Sequence, residues 1–296
     1  MIRLKAVWIF VLTALSASTA MAQRDFSDVK IKTTPVADHI YFLEGSGGNI
    51  GVSVGDDGVL LVDDQFAPLA DRILKAIEKI GGKKPKFILN THWHGDHTGG
   101  NEFFGHSGTI IAQTNVRKRL ATVQELGGRK TGPLPPGALP IITFDESLSV
   151  HFNGEEIRVI HFPHGHTDGD SVIFFTRSNV VHMGDLLFMG MLPFVDLDHG
   201  GDVEGLVRDI EDVLKQVKPG VKVIPGHGPL TDYEGLKTYH RMLVDTTTLV
   251  RKAIEAGESL ENIKKIPLPN RWKSWGNGFI KPDRWMETIY KSMTRS

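Results

Sequence analysis

Short runs in which apolar and polar residues alternate fill the chain from residue 29 to residue 63. A period of two, interrupted by glycine and aspartate turns, is typical of β-strands with one buried face. Farther on, the apolar positions of residues 67–80 recur at a helical spacing that ends at Gly81 and Gly82. The second half repeats the alternation of strands and helices. The predicted strands are residues 31–33, 39–43, 50–54, 59–62, 87–90, 109–112, 141–144, 147–152, 157–161, 171–176, 180–183 and 222–225, and the predicted helices are residues 67–80, 115–123, 203–217 and 233–255.

Strands grouped in each half of the chain, with helices beside them, predict a layered α/β sandwich in which helices cover the outside of two facing sheets. A loop rich in glycine and proline, residues 127–140, joins the two halves. The tail from Ser259 onward contains Trp272, Trp275 and Trp285 and matches no motif. We expect these aromatic side chains to pack the tail onto the rest of the protein.

The first 22 residues have the features of a secretory signal peptide. A short basic start precedes an apolar run over residues 6–17, and Ala20-Met21-Ala22 forms an A-x-A cleavage site before Gln23. The apolar run is too short for a comfortable membrane span, although an uncleaved anchor is the alternative. We therefore expect a periplasmic or secreted protein without stable membrane insertion after cleavage. Residues 23–296 are expected to form a single domain with a C-terminal helical and aromatic extension over residues 231–296.

Composition excludes several other kinds of protein. The chain has 34 Lys and Arg against 35 Asp and Glu and shows no basic stripe, so no nucleic-acid partner is expected. It has no cysteine, which excludes a disulfide framework, thiolate metal ligands and a cysteine nucleophile. With 40% hydrophobic residues, the chain can bury a sizeable core. The expected partner is a small-molecule substrate.

The most informative stretch is residues 91–100, Thr-His-Trp-His-Gly-Asp-His-Thr-Gly-Gly. Three imidazoles and a carboxylate within six positions are costly to desolvate unless a cation lies among them. The preceding strand is apolar, so His92 and His94 leave its C-terminal end on a loop. Asp96 and His97 fall where a helix would begin, and adjacent helical side chains point about 100° apart, so they can face a different ion. The spacing therefore predicts a site that suits two metal ions.

This H-x-H-x-D-H motif after a hydrophobic strand resembles the metal motif of the metallo-β-lactamase superfamily. Three later motifs resemble the same family, namely Gly165-His166-Thr167, Gly184-Asp185 at the end of a strand, and Pro225-Gly226-His227. The resemblance covers residues 38–230 and implies an αββα four-layer sandwich with the metal site at one edge between the sheets. It also implies that His92, His94 and His166 hold the first ion, that Asp96, His97 and His227 hold the second, that Asp185 is shared, and that Asp63 supports the metal loop from the second shell.

Imidazole and carboxylate ligands suit zinc, so the expected cofactor is two zinc ions, although iron or manganese could accept the same donors. Two ions held close together would let a bridging water ionise near neutral pH, because zinc lowers the pKa of a bound water to about 7. The resulting hydroxide would attack a carbonyl carbon, and no protein nucleophile is required. Asp96 and Asp185 are the predicted catalytic residues because they would orient that hydroxide.

The substrate class is open, because lactamases, lactonases, thioesterases and phosphodiesterases share this fold and these metals. Export favours β-lactam hydrolysis as the first hypothesis, followed by lactone or other ester hydrolysis, a thioesterase, and a relay role in periplasmic alcohol oxidation. A non-enzymatic metal-binding protein is the alternative from a different class. Two departures from the best-known lactamase subclass weaken the first hypothesis. Asp185 stands where that subclass has a cysteine, and Phe188 stands where it has a carboxylate-binding lysine.

Two further segments are expected beside the substrate. Residues 44–49 form a short glycine-rich loop where lactamases carry a flap, which predicts an open site. Residues 189–196 are expected to form an apolar wall on the opposite side, and residues 196–201 are expected to form a loop at the rim.

Overall fold

The computed structural model of the protein describes residues 25–295, and the predicted signal peptide, residues 1–22, lies outside them. Residues 147–152 carry apolar residues at alternate positions because one face of that strand is exposed, whereas residues 171–175 are buried throughout because both faces of that strand are covered. In chain order the strands are β1 Lys32–Ala37, β2 Ile40–Glu44, β3 Ile50–Gly55, β4 Gly58–Val62, β5 Phe87–Leu89, β6 Thr109–Gln113, β7 Gln124–Leu126, β8 Arg129–Thr131, β9 Ile142–Phe144, β10 Ser147–Phe152, β11 Glu155–His161, β12 Ser171–Phe175, β13 Val180–His182, β14 Lys222–Ile224 and β15 Thr231–Asp232.

The helices occupy segments in which apolar residues recur at three- and four-residue spacings, so that one face of each helix is buried. In the first helix, for example, Ile73 and Ile77 are buried. In chain order the helices are α1 Ala70–Lys79, α2 Gly95–Thr98, α3 Asn101–Gly105, α4 Thr114–Leu120, α5 Val203–Gln216, α6 Tyr233–Glu255, α7 Leu260–Ile263 and α8 Pro282–Thr294. Short 3-10 helices lie at Ala67–Leu69, Pro136–Ala138, Gly184–Leu186, Leu197–His199 and Asn270–Asn277.

The segment after β6 differs from the prediction. The helix predicted over residues 115–123 ends at Leu120, and the predicted loop after it contains part of a hairpin formed by β7 and β8. Gly127 and Gly128 form the turn of this hairpin with φ angles of 56° and 76°, which glycine adopts without strain. The two strands are mostly polar and exposed, so no apolar alternation in the sequence could have revealed them.

Two sheets face each other between outer layers of helices. The first has the strand order β1-β2-β3-β4-β5-β6-β9, and the second has the order β10-β11-β12-β13-β14-β15. Leu60 and Val62 of β4 pack between the sheets with Ile173 of β12, whereas Leu61 points the other way and packs against Ile73 of α1. The outer face of the second sheet packs against α5, α6 and α8. The predicted αββα four-layer sandwich is confirmed.

Parallel strand pairs bring the loops that carry the predicted ligands to one edge of the sandwich. β4 is parallel to β5, so the segments after Val62 and Leu89 leave the first sheet side by side. β13 is parallel to β14, and β12 is antiparallel to β13, so the turn before β12 and the segments after β13 and β14 share an edge. Ser171 N donates a hydrogen bond of 2.8 Å to Thr91 O, which joins the two edges.

The C-terminal segment packs on the helices that cover the second sheet. Trp272, Trp275 and Trp285 belong to the same buried cluster as Leu243 of α6, so the three tryptophans anchor this segment as expected. Trp285 Nε1 donates to Thr246 Oγ1 at 3.1 Å, which satisfies the buried indole N–H. The assignment of residues 23–296 to a single domain stays a prediction. None of the helices in residues 25–295 combines the length and the apolar character that a bilayer span needs.

Candidate metal centre

The loop that carries the first four predicted ligands begins where β5 ends and turns into a one-turn helix. His94 has an extended backbone, with φ of −63° and ψ of 146°, and α2 starts at the next residue. His97 N and Thr98 N both donate to His94 O, at 3.0 and 3.1 Å, which closes the turn. His92 and His94 therefore precede the helix and Asp96 and His97 lie within it, as the sequence predicted.

Three residues from the second half of the chain face this loop. His166 lies in the turn between β11 and β12, Asp185 lies in the 3-10 helix after β13, and His227 follows β14. Gly184, just before Asp185, has a φ of 51°, and a Cβ atom there would lie 2.7 Å from Thr91 Cβ. Glycine suits this position because only glycine combines that backbone with so close an approach. The structure thus brings all seven predicted ligands together.

His92, His94, His166 and Asp185 form the first group of donor atoms, and all four residues are buried. His94 Nδ1 lies 2.9 Å from His166 Nε2. Asp185 Oδ2 lies 3.5 Å from His166 Nε2 and 3.8 Å from His92 Nε2. The ligand atoms of the group lie within 4.8 Å of one another, which is close enough for one metal ion to reach them all.

Asp96, His97 and His227 form the second group, which adjoins the first through Asp185. His227 Nε2 lies 3.4 Å from Asp96 Oδ2 and 3.3 Å from Asp185 Oδ2. His97 Nε2 lies 4.0 Å from Asp96 Oδ2 and 3.0 Å from Asp185 Oδ1. The two oxygens of Asp185 therefore lie near ligand atoms of both groups, as a shared ligand must.

A second set of side chains orients the rings. Asp63 accepts hydrogen bonds from Thr91 N at 2.8 Å, from Thr91 Oγ1 at 2.7 Å and from His97 Nδ1 at 2.7 Å. Because the Thr91 hydroxyl donates to Asp63, it accepts from His92 Nδ1, which lies 3.0 Å away. Asp63 thus orients His97 directly and His92 through Thr91, and its support of a metal loop stays a prediction.

The sequence interpretation missed the partners of the two remaining rings in the first group. His94 Nε2 donates to Asp196 Oδ2 at 2.9 Å, and His199 Nδ1 donates to Asp196 Oδ1 at 2.8 Å. His166 Nδ1 donates to the backbone oxygen of Phe194 at 2.8 Å. The sequence predicts an apolar wall and a rim loop for the segment that contains Asp196. The carboxylate of Asp196 is also buried against His94, and only the proximity of the two residues in space reveals this.

The donor set fits metal ions. Thr91, Asp196, Asp63 and the backbone of Phe194 accept the proton of one nitrogen in His92, His94, His97 and His166, respectively. In the neutral form of each ring, the other nitrogen therefore directs a lone pair toward the centre. The lone pairs of His94 Nδ1 and His166 Nε2 face each other at 2.9 Å, an arrangement that requires a proton or a cation between them. Within residues 25–295, His92 Nε2, His97 Nε2 and Asp185 Oδ1 are buried without a hydrogen-bond partner, since the last two lie 3.0 Å apart but outside hydrogen-bonding geometry. Buried polar atoms of this kind need an explanation, and a bound cation supplies one.

Burial and neighbouring charges give the histidines of the site different pKa values. Burial lowers the pKa of His92 well below its ordinary range and lowers the pKa of His166 to about 4, so both rings are neutral. Burial opposes the charge of His227, but the Asp185 carboxylate raises its pKa to about 9. Burial also opposes ionisation of Asp185, yet in the metal-free protein the positive charges of His227 and His97 hold its pKa well below the usual range, and a bound metal would displace the protons of those rings. The neutral His92 and His166 rings can bind a metal, which requires unprotonated nitrogen.

The glycine-rich loop of residues 44–49 is held against the metal centre. Gly48 N donates to Asp96 O at 3.0 Å, and Gln65 Nε2 donates to Gly48 O at 2.7 Å. Asn49 Nδ2 donates to Pro225 O at 3.0 Å and to Gly228 O at 2.9 Å, which joins this loop to the segment that carries His227. The sequence interpretation did not identify Asn49, because its partners lie more than 170 residues away.

A cavity of about 420 Å³ opens onto both donor groups. Ser46 and Gly47 of the glycine-rich loop line one part of it, where a flap was expected. Of the predicted wall over residues 189–196, Phe194 lines the cavity, whereas Leu192 and Val195 are buried in the core. The cavity is lined by Ser46, Gly47, His94, Asp96, Leu126, Asp185, Phe188, Phe194, His227 and Phe279.

A family model described as Metallo-beta-lactamase superfamily matches residues 43–230, which include every predicted ligand and Asp63. This match spans more than half of the chain, and the chain therefore belongs to the metallo-β-lactamase superfamily. The superfamily comprises metal-dependent hydrolases, so the class of protein is established by the family match together with the His and Asp cluster.

Two relatives agree with this class, and a solved structure agrees with the fold. The chain is 27% identical over 198 residues to probable metallo-hydrolase MJ0888 of Methanocaldococcus jannaschii, covering 64% of this chain and 91% of that protein. It is 24% identical over 271 residues to metallo-beta-lactamase type 2 of Bacteroides fragilis, covering 86% of this chain and 98% of that enzyme. The solved structure of a metallo-beta-lactamase from Pontibacter korlensis superposes with a TM-score of 0.59 at 18% identity, covering 72% of this chain and 99% of that one, which shows the shared fold.

Proposed function

We propose that the protein is an exported zinc-dependent hydrolase that holds two ions and adds water to a carbonyl carbon. The observation that carries the proposal is the pair of adjoining donor groups, in which buried atoms of His92, His97 and Asp185 lack a hydrogen-bond partner within the described residues. One ion would be held by His92, His94 and His166, the other by Asp96, His97 and His227, and Asp185 would reach both.

Bound zinc supplies Lewis-acid polarisation of a carbonyl oxygen and a water of lowered pKa, near 7. The protein's own residues provide the geometry around that chemistry. Asp185 lies between the donor groups, and Asp96 lies at the cavity with its side chain 26% exposed, so both carboxylates can accept a hydrogen bond from the attacking water. Phe188 and Phe194 exclude bulk water from one side of the cavity. Asp63 and Asp196 restrict rotation of the rings, which preorganises the site.

Two substrate classes follow from different observations. Hydrolysis of β-lactams is the first candidate, and similarity to the Bacteroides fragilis enzyme along 98% of its length supports it. Hydrolysis of lactones or other esters is the second candidate. It is favoured by Phe188, which stands where the best-known lactamase subclass has a carboxylate-binding lysine, and by the lack of Lys and Arg among the described residues that line the cavity.

The test is hydrolysis by the zinc-loaded protein, with and without a chelator, of a chromogenic cephalosporin and of a para-nitrophenyl ester. We expect turnover of at least one of them that chelation abolishes and added zinc restores. His94→Ala should lose this turnover, whereas His151→Ala should keep it, because His151 is exposed on β10 and remote from the donor groups. Both variants should fold with the circular dichroism of the parent protein.

Metal content must be measured on the same samples. Two zinc ions per chain with chelator-sensitive turnover would support the proposal. A protein that holds two zinc ions but hydrolyses neither compound, nor any lactone or thioester offered at high concentration, would contradict the enzymatic role and favour a metal-binding protein.

A further inference from the structure

One side of the cavity is apolar where it meets the donor groups. Phe188 stacks on the His227 ring, with centroids 4.9 Å apart and planes inclined by 16°. The Phe279 ring lies 6.1 Å from that of Phe188, and Phe194 and Leu126 line the same cavity. Leu126, Phe188, Phe194 and Phe279 together are called the apolar subsite here. Leu126 comes from the β7–β8 hairpin, Phe188 and Phe194 come from the segment after β13, and Phe279 comes from the C-terminal segment.

Away from the donor groups and the ions they would hold, no Lys or Arg among the described residues lines the cavity. Among the described residues that line it, the charged side chains besides the histidines are the carboxylates of Asp96 and Asp185. Arg284 and Lys291 line an adjoining cavity, but their nitrogen atoms lie 3.6 and 2.6 Å from the carboxylate oxygens of Glu287. A carboxylate placed on the apolar subsite would lose part of its hydration without gaining a lysine or arginine partner there, which is costly.

Phe279 is held in place although its ring is 63% exposed. Leu192 N donates to Trp275 O at 3.2 Å, which ties the C-terminal segment to the segment after β13. Gly278 approaches Met191 so closely that a Cβ atom there would lie 3.0 Å from the Cβ of Met191. A fixed, exposed aromatic ring at the edge of a cavity is a surface that an apolar group can cover with a gain in buried area.

We propose that the apolar subsite binds the aryl or alkyl substituent of an uncharged ester or lactone, and that the site selects against substrates that carry a carboxylate there. This inference rests on the proposed function and specifies its substrate. In the reaction, water adds to the carbonyl carbon, and the bond from that carbon to the alkoxy oxygen breaks. The alkoxy oxygen takes up a proton, so the products are a carboxylic acid and an alcohol.

The test compares two para-nitrophenyl arylacetates that differ only at the para position of the aryl ring, one with an isopropyl group and one with a carboxylate of similar shape. For the zinc-loaded protein we expect kcat/KM to be at least about thirtyfold higher for the isopropyl compound, within the range that pocket contacts provide. Rates are taken as the part that a chelator abolishes. Calorimetric binding of the ketone analogue of each ester gives a readout that does not depend on turnover.

Variants assign the selectivity to the subsite. Phe279→Ala should lower kcat/KM for the isopropyl ester about tenfold and should weaken binding of its ketone analogue by a similar factor. The change in kcat/KM for the carboxylate ester should be much smaller. Phe279→Lys should raise kcat/KM for the carboxylate ester about tenfold, because it supplies the missing cation. The matched control is Phe103→Ala, which removes a phenylalanine that is 36% exposed and lies outside the cavity. This variant should leave kcat/KM for both esters unchanged.

The possible results distinguish a failure of this inference from a failure of the proposed hydrolase function. Chelator-sensitive hydrolysis with a preference for the isopropyl ester that Phe279→Ala reduces would support both. Chelator-sensitive hydrolysis in which the carboxylate ester reacts equally well or faster would overturn the inference and leave the proposed hydrolase intact. No chelator-sensitive hydrolysis of either ester or of the cephalosporin, in a protein that holds two zinc ions, would overturn the hydrolase and this inference with it.

Discussion

Replacement of Asp63 by asparagine should weaken metal binding while the fold remains intact. Asp63 is fully buried and accepts three hydrogen bonds, two from Thr91 and one from His97 Nδ1. Its backbone has a φ of 61°, a left-handed conformation that asparagine adopts more readily than most residues. The substitution therefore keeps volume and backbone and changes one acceptor oxygen into an NH₂ donor.

The expected loss of zinc affinity in Asp63→Asn follows from the tautomer of His97. An asparagine that keeps its oxygen toward Thr91 N presents its NH₂ group to His97 Nδ1, which must then accept rather than donate. The ring proton moves to Nε2, the atom that lies 3.0 Å from Asp185 Oδ1 and faces the metal. Because an N–H nitrogen has no lone pair for a metal, zinc affinity should fall roughly 10–100-fold, the usual effect of losing such a partner. The metal-free protein should lose about 1.5–3 kcal/mol of unfolding free energy with this charge-assisted hydrogen bond.

Zinc affinity is measured by competition with a chromogenic chelator, and stability by urea unfolding after the metal is removed. The matched control is Asp64→Asn. Asp64 is as buried as Asp63, burial raises the pKa of its carboxyl well above the ordinary value, and its hydrogen bond comes from Gly100 N at 2.8 Å. Its zinc affinity should stay within about twofold of the parent, since no ring depends on it. If Asp63→Asn also bound zinc within twofold of the parent, the tautomer argument would be refuted.

Three further predictions address other parts of the structure. Asp196→Asn should weaken zinc binding about tenfold, because it removes the carboxylate that accepts from His94 Nε2 at 2.9 Å. Gly48→Ala should lower zinc affinity because its Cβ would overlap the His97 ring. The same overlap should lower the free energy of unfolding by about 1–3 kcal/mol. Burial raises the pKa of Asp209 from 3.8 to about 7, so folding takes up a proton and stability falls as pH rises from about 4 to about 7. Asp209→Asn should therefore be more stable than the parent by ~2–4 kcal/mol near pH 8 and equal to it near pH 4 in urea unfolding.

Each of these predictions has a control nearby. Asp198→Asn changes an exposed carboxylate two residues from Asp196 and should leave zinc binding unaltered. Gly132→Ala adds a Cβ with no neighbouring heavy atom within 4 Å and should be silent. Asp212→Asn removes an exposed carboxylate from the same helix as Asp209 and is the matched control in urea unfolding. Equal stability of Asp209→Asn and the parent at both pH values would mean that burial does not hold a proton on this carboxyl.

The sequence by itself determined the layers of the fold and the positions of the predicted ligands. Alternation in β4 directs Leu60 and Val62 to one side and Leu61 to the other, and this period is a local property of the backbone. The donors His92, His94, Asp96 and His97 lie within one loop and one helical turn, so their spacing alone limits where they can point.

Only the tertiary structure decided how the ligands are supported and what faces the substrate. Asp196 meets His94 across 102 positions of sequence, and Asn49 reaches the segment of His227 across more than 170. Phe279 enters the cavity because the C-terminal segment packs beside the segment after β13, not because of any pattern around it. Such contacts depend on how loops from two sheets and a distant segment meet at one edge, and a local period of two or 3.6 carries no information about that meeting.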